Sequence, residues 1–290
     1  MKDYVITTDT NADLPNYYIE ENEIGILSLS YTIDGVTYDK DHELPYEEFY
    51  SKMRNGSMPT TSQVNPQAAK TIFENIINEK NVDILHIAFS SGLSGSYNSA
   101  RLAAEEVMDE NSNSKIIVID SLSASLGQGL LVHKALEHKK QGRTIEETTD
   151  WIKANIRHIC HNFTVDDLQH LYRGGRVSKV QAVLGTMANV KPILYVNDEG
   201  HLVPSGKVRG RKKSLITLVD SMEKQIGSYQ DKNDIVFISH GDAEEDAQYV
   251  ADMVRERFGI SSFLINYVGP SIGAHSGPGT IALFYMGESR

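Results

Sequence analysis

A loop of small residues at positions 90–97 holds the residues best placed to do chemistry. It reads Ser-Ser-Gly-Leu-Ser-Gly-Ser-Tyr and lies between an apolar run at 83–89 and a helical pattern at 98–108. The first turn of a helix carries unpaired N–H groups and the positive end of the helix dipole. Ser94, with the amides around Gly95 and Ser96, is therefore placed to bind a carboxylate or a phosphate. The pattern is equally typical of an ordinary strand-to-helix turn with a capping serine.

The elements around this loop alternate between strands, polar loops and helices. Residues 4–8, 24–31, 83–89 and 115–120 are strand-like apolar runs, and each is followed by hydroxyl or turn residues. Asn65 before Pro66 marks one helix start, and Thr144 with Glu147 forms a capping-box pattern at another. This order predicts a mostly parallel sheet flanked by helices. Its polar loops should meet at the carboxyl edge, where open α/β folds bind ligands.

The second half of the chain has a different order of predicted elements. Strand-like runs at 190–196 and 201–204 flank Asn-Asp-Glu-Gly, which predicts a hairpin, and a strand–helix–strand unit covers 234–267. We therefore predict an α/β protein of two domains, 1–160 with a mostly parallel sheet and 161–290 with a mixed sheet.

Composition excludes several classes of protein. The 290 residues carry a formal net charge of −11, which argues against a general binder of nucleic acid or of anionic membranes. The single cysteine, Cys160, cannot form an internal disulfide and fits a reducing compartment. The first residues lack a signal-peptide pattern, and no apolar run is long enough to span a bilayer. We expect a cytoplasmic protein.

Five short motifs occur in order along the chain. They are TDTNADL at 8–14, PTTSQ at 59–63, SGLSGSY at 91–97, LYRGGR at 171–176 and GPSIGAHSGPG at 269–279. Together they resemble the DegV family of bacterial fatty-acid-binding proteins, the ligand-presenting subunits of fatty-acid kinase, over essentially the whole length. The departures that we note are conservative, such as Ser96 and Ser276 where threonine is common.

The resemblance implies a non-catalytic protein without a cofactor. A long-chain fatty acid would lie with its acyl chain in the first domain and its carboxylate at the interdomain cleft. A kinase subunit would then use ATP to convert the bound acid to an acyl phosphate for phospholipid synthesis. The implied head-group residues are Thr61, Ser62, Ser94, Gly95, Ser96 and, from the second domain, His275.

These residue types suit that task. Hydroxyls and amides hold a carboxylate less tightly than a bidentate arginine, which would hinder its later phosphorylation. Histidine titrates near neutrality, so His275 is suited to donate to the carboxylate or to respond to its charge. Thr61 and Ser62 also fit a capped turn, and His275 also fits a loop residue bonded to backbone. Candidates for an apolar tunnel, each of which fits an ordinary core better, are Ile26, Leu27, Leu29, Phe89, Leu122 and Leu126.

The segment 207–213 concentrates positive charge in an acidic chain. It reads Lys-Val-Arg-Gly-Arg-Lys-Lys, and the DegV family carries a basic segment at this place. It is either a solvated helix start or a docking surface for the kinase subunit and its nucleotide. The candidate docking residues are Lys207, Arg209, Arg211 and Lys212. Contact with a membrane would be transient at most.

Two other functions remain open at this stage. A serine hydrolase would use Ser94 as nucleophile and His275 as base, although Gly92-Leu93-Ser94-Gly95-Ser96 lacks the glycine that a nucleophile elbow needs two residues after the serine. A binder of a small phosphorylated metabolite would use the same anion loops, although Walker-type and GxGxxG patterns are missing. The ten histidines are scattered, and their spacing does not indicate a metal site.

Overall fold

Two larger β-sheets organise the protein. The computed structural model describes residues 2–111, 113–166, 168–178 and 189–290. The strands of the first half are β1 (Tyr4–Asp9), β2 (Gly25–Leu27), β3 (Tyr31–Ile33), β4 (Val36–Tyr38), β5 (Thr60–Thr61), β6 (Asp83–Ala88) and β7 (Ile116–Asp120). Four of them form a parallel sheet in the order β2-β1-β6-β7. The predicted parallel sheet is confirmed.

Helices of the first half begin where the capping residues predict. The Asn65 side chain accepts hydrogen bonds from the backbone N–H groups of Gln67 and Ala68, and Thr144 with Glu147 forms a complete capping box. The helices are α1 (Asn16–Glu21), α2 (Tyr46–Arg54), α3 (Pro66–Lys80), α4 (Ser96–Glu110), α5 (Leu126–Lys140) and α6 (Ile145–Asn155).

The apolar run at 24–31 does not form one strand. Its first part is β2 in the parallel sheet, whereas Tyr31 begins β3, which pairs antiparallel with β4 and β5 in a small separate sheet. Between them the backbone N–H of Leu29 donates to the Thr10 hydroxyl at 3.1 Å. The run was predicted as one strand because its apolar character is continuous, but its two ends pair with different partners.

The second half forms a six-stranded mixed sheet in the order β10-β9-β8-β13-β11-β12, as predicted. The hairpin around 197–200 is present, and the following helix begins at Arg211. The elements are β8 (Ile159–Thr164), α7 (Gln169–Arg173), β9 (Val190–Val196), β10 (Leu202–Arg209), α8 (Arg211–Gln225), β11 (Val236–His240), α9 (Glu244–Phe258), β12 (Phe263–Tyr267), α10 (Pro270–Ser276) and β13 (Ile281–Met286).

The two halves pack closely against each other. One continuous apolar cluster runs from Tyr4 and Leu85 in the parallel sheet to Phe163 and Phe284 in the mixed sheet. At a second contact, a Cβ on Gly92 would lie 2.9 Å from backbone carbonyl oxygens of the 197–200 turn, so this close approach requires glycine. The division into domains at 160/161 stays a prediction. None of the described helices combines the length and apolar character needed to cross a membrane.

Candidate functional site

A cavity of about 270 Å³ lies between the carboxyl edge of the parallel sheet and the mixed sheet. Asn11 and Phe89, which follow β1 and β6, form one side of it, and Phe163 and Phe284 from β8 and β13 form the other. The position agrees with the rule that open α/β sheets bind ligands beyond the carboxyl ends of their strands. The apolar lining residues are Leu29, Phe89, Leu93, Ala124, Phe163, Leu171, Val196, Leu202, Val268, Ile272, Ala282 and Phe284.

The Ser94 loop lies against this cavity as a pre-formed turn. The Ser94 hydroxyl accepts a hydrogen bond from the backbone N–H of Ser96 at 3.2 Å and lies 2.9 Å from the Ser96 hydroxyl. Ser94 and Gly95 line the cavity. Ser96 does not belong to the lining: it is buried, and its hydroxyl accepts from the backbone N–H of Val64 at 3.1 Å. Ser96 therefore joins the Ser94 loop to the segment that carries Thr61 and Ser62.

Thr61 and His275 meet across the two halves of the chain. The Thr61 hydroxyl lies 2.8 Å from Nε2 of His275, and both residues line the cavity together with Ser62. Burial, helped by the positive charge of Arg176, lowers the pKa of His275 to about 4. The imidazole is therefore neutral at pH 7, with one N–H to donate and one nitrogen to accept. A bound carboxylate would raise that pKa, because a nearby negative charge favours the imidazolium.

Arg176 belongs to this site, although in the sequence it stood out only as the last residue of the motif at 171–176. Its Nε donates to the backbone carbonyl of Leu93 at 3.2 Å, and burial lowers the pKa of the guanidinium. Arg176, Thr61 and His275 also line an outer pocket of about 300 Å³. These three side chains therefore separate the cavity from the outer pocket.

Gly95 lies close to the Gln63 side chain within the site. A Cβ at this position would lie 2.2 Å from Oε1 of Gln63. Gln63 in turn donates from Nε2 to the Ser99 hydroxyl at 3.1 Å and lines the cavity. Sequence reasoning did not single out Gln63, although it directly follows the Thr61-Ser62 pair in the same motif.

The proposed tunnel residues divide into two groups. Leu29 and Phe89 line the cavity, whereas Ile26, Leu27 and Leu126 are buried in the surrounding apolar clusters. Leu122 packs against one of these clusters. Phe163 and Phe284 of the mixed sheet were not predicted as lining residues. Strand periodicity predicts that they are buried but not which sheet they face.

The basic segment spans the end of β10 and the start of α8. Lys207, Arg209 and Lys212 are exposed. Arg211 is half-buried, and its guanidinium pairs with Asp246 at 2.8 Å and with Asp166 at 3.9 Å. Arg211 is thus committed to an intramolecular ion pair. Lys207, Arg209 and Lys212 carry the positive charge that faces solvent.

The structure also brings together a group that its sequence spacing did not reveal. His133, Glu137 and Asp234 each offer a ligand atom within 4.8 Å of the others. The Lys134 ammonium already lies 2.9 Å from Glu137 and 2.5 Å from Asp234. Both carboxylates that a metal ion would need are therefore already paired with this one ammonium.

The family model and the relatives that match this chain indicate the same family. The family model described as "Uncharacterised protein, DegV family" matches residues 3–288. A DegV domain-containing protein of Clostridium perfringens is 43% identical over 292 residues, covering 100% of this chain and 99% of the relative.

Solved structures share the whole fold. DegV of Bacillus subtilis, described as a fatty acid binding protein, matches with a TM-score of 0.85 and 28% identity, covering 99% of this chain and 100% of that one. A DegV family protein of Ruminococcus gnavus, described with vaccenic acid, matches with a TM-score of 0.87 and 26% identity, covering 97% of this chain and 99% of that one. The chain described here belongs to the DegV family.

Proposed function

We propose that this protein binds a long-chain fatty acid and presents its carboxylate to a fatty-acid kinase in the cytoplasm. The observation that carries the proposal is the Thr61–His275 pair, which lines one cavity together with Ser94 and with many apolar side chains. Hydrogen-bonding groups and apolar side chains in one cavity match the two parts of a fatty acid. The Bacillus subtilis protein described as a fatty acid binding protein and the Ruminococcus gnavus protein described with vaccenic acid support the same ligand class.

The carboxylate would accept hydrogen bonds from the hydroxyls of Thr61, Ser62 and Ser94, from the Gly95 region of the loop, and from neutral His275. Ser96 would act by positioning Ser94 rather than by contact. Each methylene of the acyl chain that leaves water contributes about 0.8 kcal/mol, so the tail supplies most of the affinity. The tail would run between the two sheets, because Phe163 and Phe284 line the cavity as well as Phe89.

The hydrogen bonds of the site favour binding over serine hydrolysis. A hydrolase needs the histidine to accept the proton of the serine hydroxyl. Here Nε2 of His275 faces Thr61 at 2.8 Å, and the Ser94 hydroxyl faces Ser96 at 2.9 Å. A phosphorylated metabolite fits less well, because Arg176 is the one lysine or arginine among the described residues that line the cavity. We therefore propose a non-catalytic role.

Presentation to the kinase requires access to the carboxylate from outside. The outer pocket reaches Thr61, Arg176 and His275 from the protein surface. The exposed charges of Lys207, Arg209 and Lys212 are suited to attract a partner that carries nucleotide phosphates. β10 is an edge strand of the mixed sheet, and lysines on edge strands prevent pairing with other chains. The positive charge on β10 therefore also has a role that does not involve a kinase.

The first experiment is mass spectrometry of the freshly purified protein, in the native state and after solvent extraction. We expect a stoichiometric fatty acid. A protein that is free of lipid and also fails to take up added fatty acid would refute the proposal.

Two variants then test the head-group residues. Thr61→Val and Ser94→Ala each remove one hydrogen bond to a charged group, worth about 2 kcal/mol, or roughly thirtyfold in Kd. Thr71→Val, at an exposed threonine on α3, is the matched control and should keep the wild-type Kd. Equal Kd values for all three variants would show that the carboxylate binds elsewhere.

A further inference from the structure

The helix that carries His275 belongs to the second half of the sequence but packs into the first half. This helix, α10, contacts α2 and β5 of the first half as well as α7. Its residue Ala274 is buried in an apolar cluster with Phe49 and Tyr50 of α2. Residues of the first half therefore help to decide where His275 lies.

Gly273 of α10 lies directly on two aromatic rings of α2. A Cβ at this position would lie 2.5 Å from the Tyr50 hydroxyl oxygen and 3.2 Å from Cε1 of Phe49. Both rings are fully buried, and they meet edge to face with their centroids 5.2 Å apart. Because protein interiors are close-packed, these rings do not move aside without cost. The contact therefore fixes how closely α10 approaches α2.

The Tyr50 hydroxyl also holds the chain just before α10. It donates a hydrogen bond to the backbone carbonyl of Val268 at 2.6 Å, two residues before Pro270 begins the helix. A phenylalanine ring would fill the same space, so apolar packing does not require the hydroxyl. Burial of a hydroxyl costs free energy unless the group is hydrogen-bonded. Tyr50 thus contacts α10 at Gly273 and, through its hydroxyl, fixes the start of this helix.

Helix α2 also supports the strand that carries Thr61. Phe49 packs edge-on against Tyr31 of β3, with ring centroids 5.4 Å apart. Tyr31 is the direct partner of Thr61 where β3 pairs with β5. Phe49 and Tyr50 are neighbours on one helix, so α2 connects the strand of Thr61 to the helix of His275. The two side chains meet at 2.8 Å.

One face of α2 is bonded to the second half along its length. Glu47, Tyr50 and Arg54 have the spacing i, i+3 and i+7, which places them on one side of a helix. Glu47 accepts a hydrogen bond from the Tyr267 hydroxyl at 3.0 Å, and Arg54 pairs with Asp242. Glu47 and Arg54 are exposed, whereas Tyr50 is buried between them. The docking of the whole helix therefore sets the position of the Tyr50 hydroxyl.

We propose that Tyr50 is a positioning residue for the carboxylate site: its hydroxyl fixes α10 so that His275 meets Thr61 and faces the bound acid. The inference rests on the proposed fatty-acid function and adds a residue that does not line the cavity. A tyrosine that only stabilised the core would lower the free energy of unfolding without changing how the carboxylate is held. A positioning residue affects the affinity for the acid, and it does so only while His275 is present.

The test is a double-mutant cycle on the delipidated full chain, with palmitic acid as the ligand. We expect Tyr50→Phe to raise the Kd about tenfold in the wild-type background and to leave it unchanged in the His275→Ala background. Tyr285→Phe is the matched control, because Tyr285 is equally buried, donates its hydroxyl to Gln225 at 2.6 Å and does not line the cavity. This control should lower stability and keep the wild-type Kd.

A second readout follows the carboxylate itself. Palmitic acid isotope-labelled at its carboxyl carbon is bound to each variant, and its NMR chemical shift is measured. In Tyr50→Phe the shift should move toward the value in His275→Ala, and in Tyr285→Phe it should stay at the wild-type value. Gly273→Ala perturbs the same contact from the side of α10 and should act like Tyr50→Phe, so the test does not depend on the folding of one variant.

Three results would overturn the proposal and leave the proposed function standing. They are a wild-type Kd in both Tyr50→Phe and Gly273→Ala, a loss of affinity that persists in the His275→Ala background, and an equal loss in Tyr285→Phe. Failure of the wild-type protein to bind palmitic acid or any other long-chain fatty acid would overturn the proposed function itself.

Discussion

Arg290 offers the sharpest test of how the two halves are held together. Its guanidinium is largely buried and donates hydrogen bonds to segments from both halves. Burial lowers its pKa to about 10, so the group stays charged at pH 7. The acceptors are the backbone carbonyls of Leu122 (2.8 Å), Ile156 (2.6 Å), Ile159 (2.9 Å) and Asn197 (3.1 Å) and the hydroxyl of Ser123 (3.2 Å).

Replacement of Arg290 by methionine keeps much of the volume and removes all five bonds. A hydrogen bond to a charged group contributes roughly 1.5–3 kcal/mol, but some of the freed carbonyls regain water. We therefore expect the free energy of unfolding to fall by about 3–5 kcal/mol. Arg290→Lys should give an intermediate loss, because an ammonium has three donors and no planar fork.

The assay is urea unfolding of the delipidated protein, followed by circular dichroism. Arg257→Met is the matched control, since Arg257 forms a surface ion pair with Asp220 at 2.7 Å and should cost about 1 kcal/mol or less. A loss below about 1 kcal/mol for Arg290→Met would refute the reasoning. It would mean that the five acceptors are satisfied equally well by water.

Two further predictions concern docking and acid stability. The double variant Lys207→Glu/Arg209→Glu should slow acyl-phosphate formation by a fatty-acid kinase subunit, measured by hydroxylamine trapping. Lys153→Glu on α6 is the control and should leave the rate unchanged. Equal rates for the double variant and the control would argue against this docking surface. Burial lowers the pKa of His86 to about 3, whereas the pKa in an unfolded chain is about 6.5. Between these two pH values the unfolded state binds a proton that the folded state does not, so the free energy of unfolding falls as the pH drops from about 6.5 to about 3. His86→Gln should therefore reduce the difference between urea midpoints at about pH 7 and about pH 4, and an unchanged difference would contradict this assignment.

Local signals in the sequence determined much of this protein. The strand-to-helix loop around Ser94, the cap at Asn65 and the capping box at Thr144 all lie where the residue types predicted. The alternation of strands and helices gave the parallel sheet, and the hairpin signal at 197–200 gave part of the mixed sheet. Such features depend on residues a few positions apart, so short-range periodicity and turn chemistry are enough to predict them.

The composition of the site was decided by tertiary structure. Thr61 and His275 are 214 positions apart, and motif resemblance named both without predicting that they pair. The ion pair between Arg211 and Asp246 withdrew one charge from the predicted docking surface. The aromatic wall formed by Phe163 and Phe284 exists because the mixed sheet faces the edge of the parallel sheet. Contacts of this kind depend on how distant elements pack, and their sequence pattern is the same whether a side chain fills a core or lines a cavity.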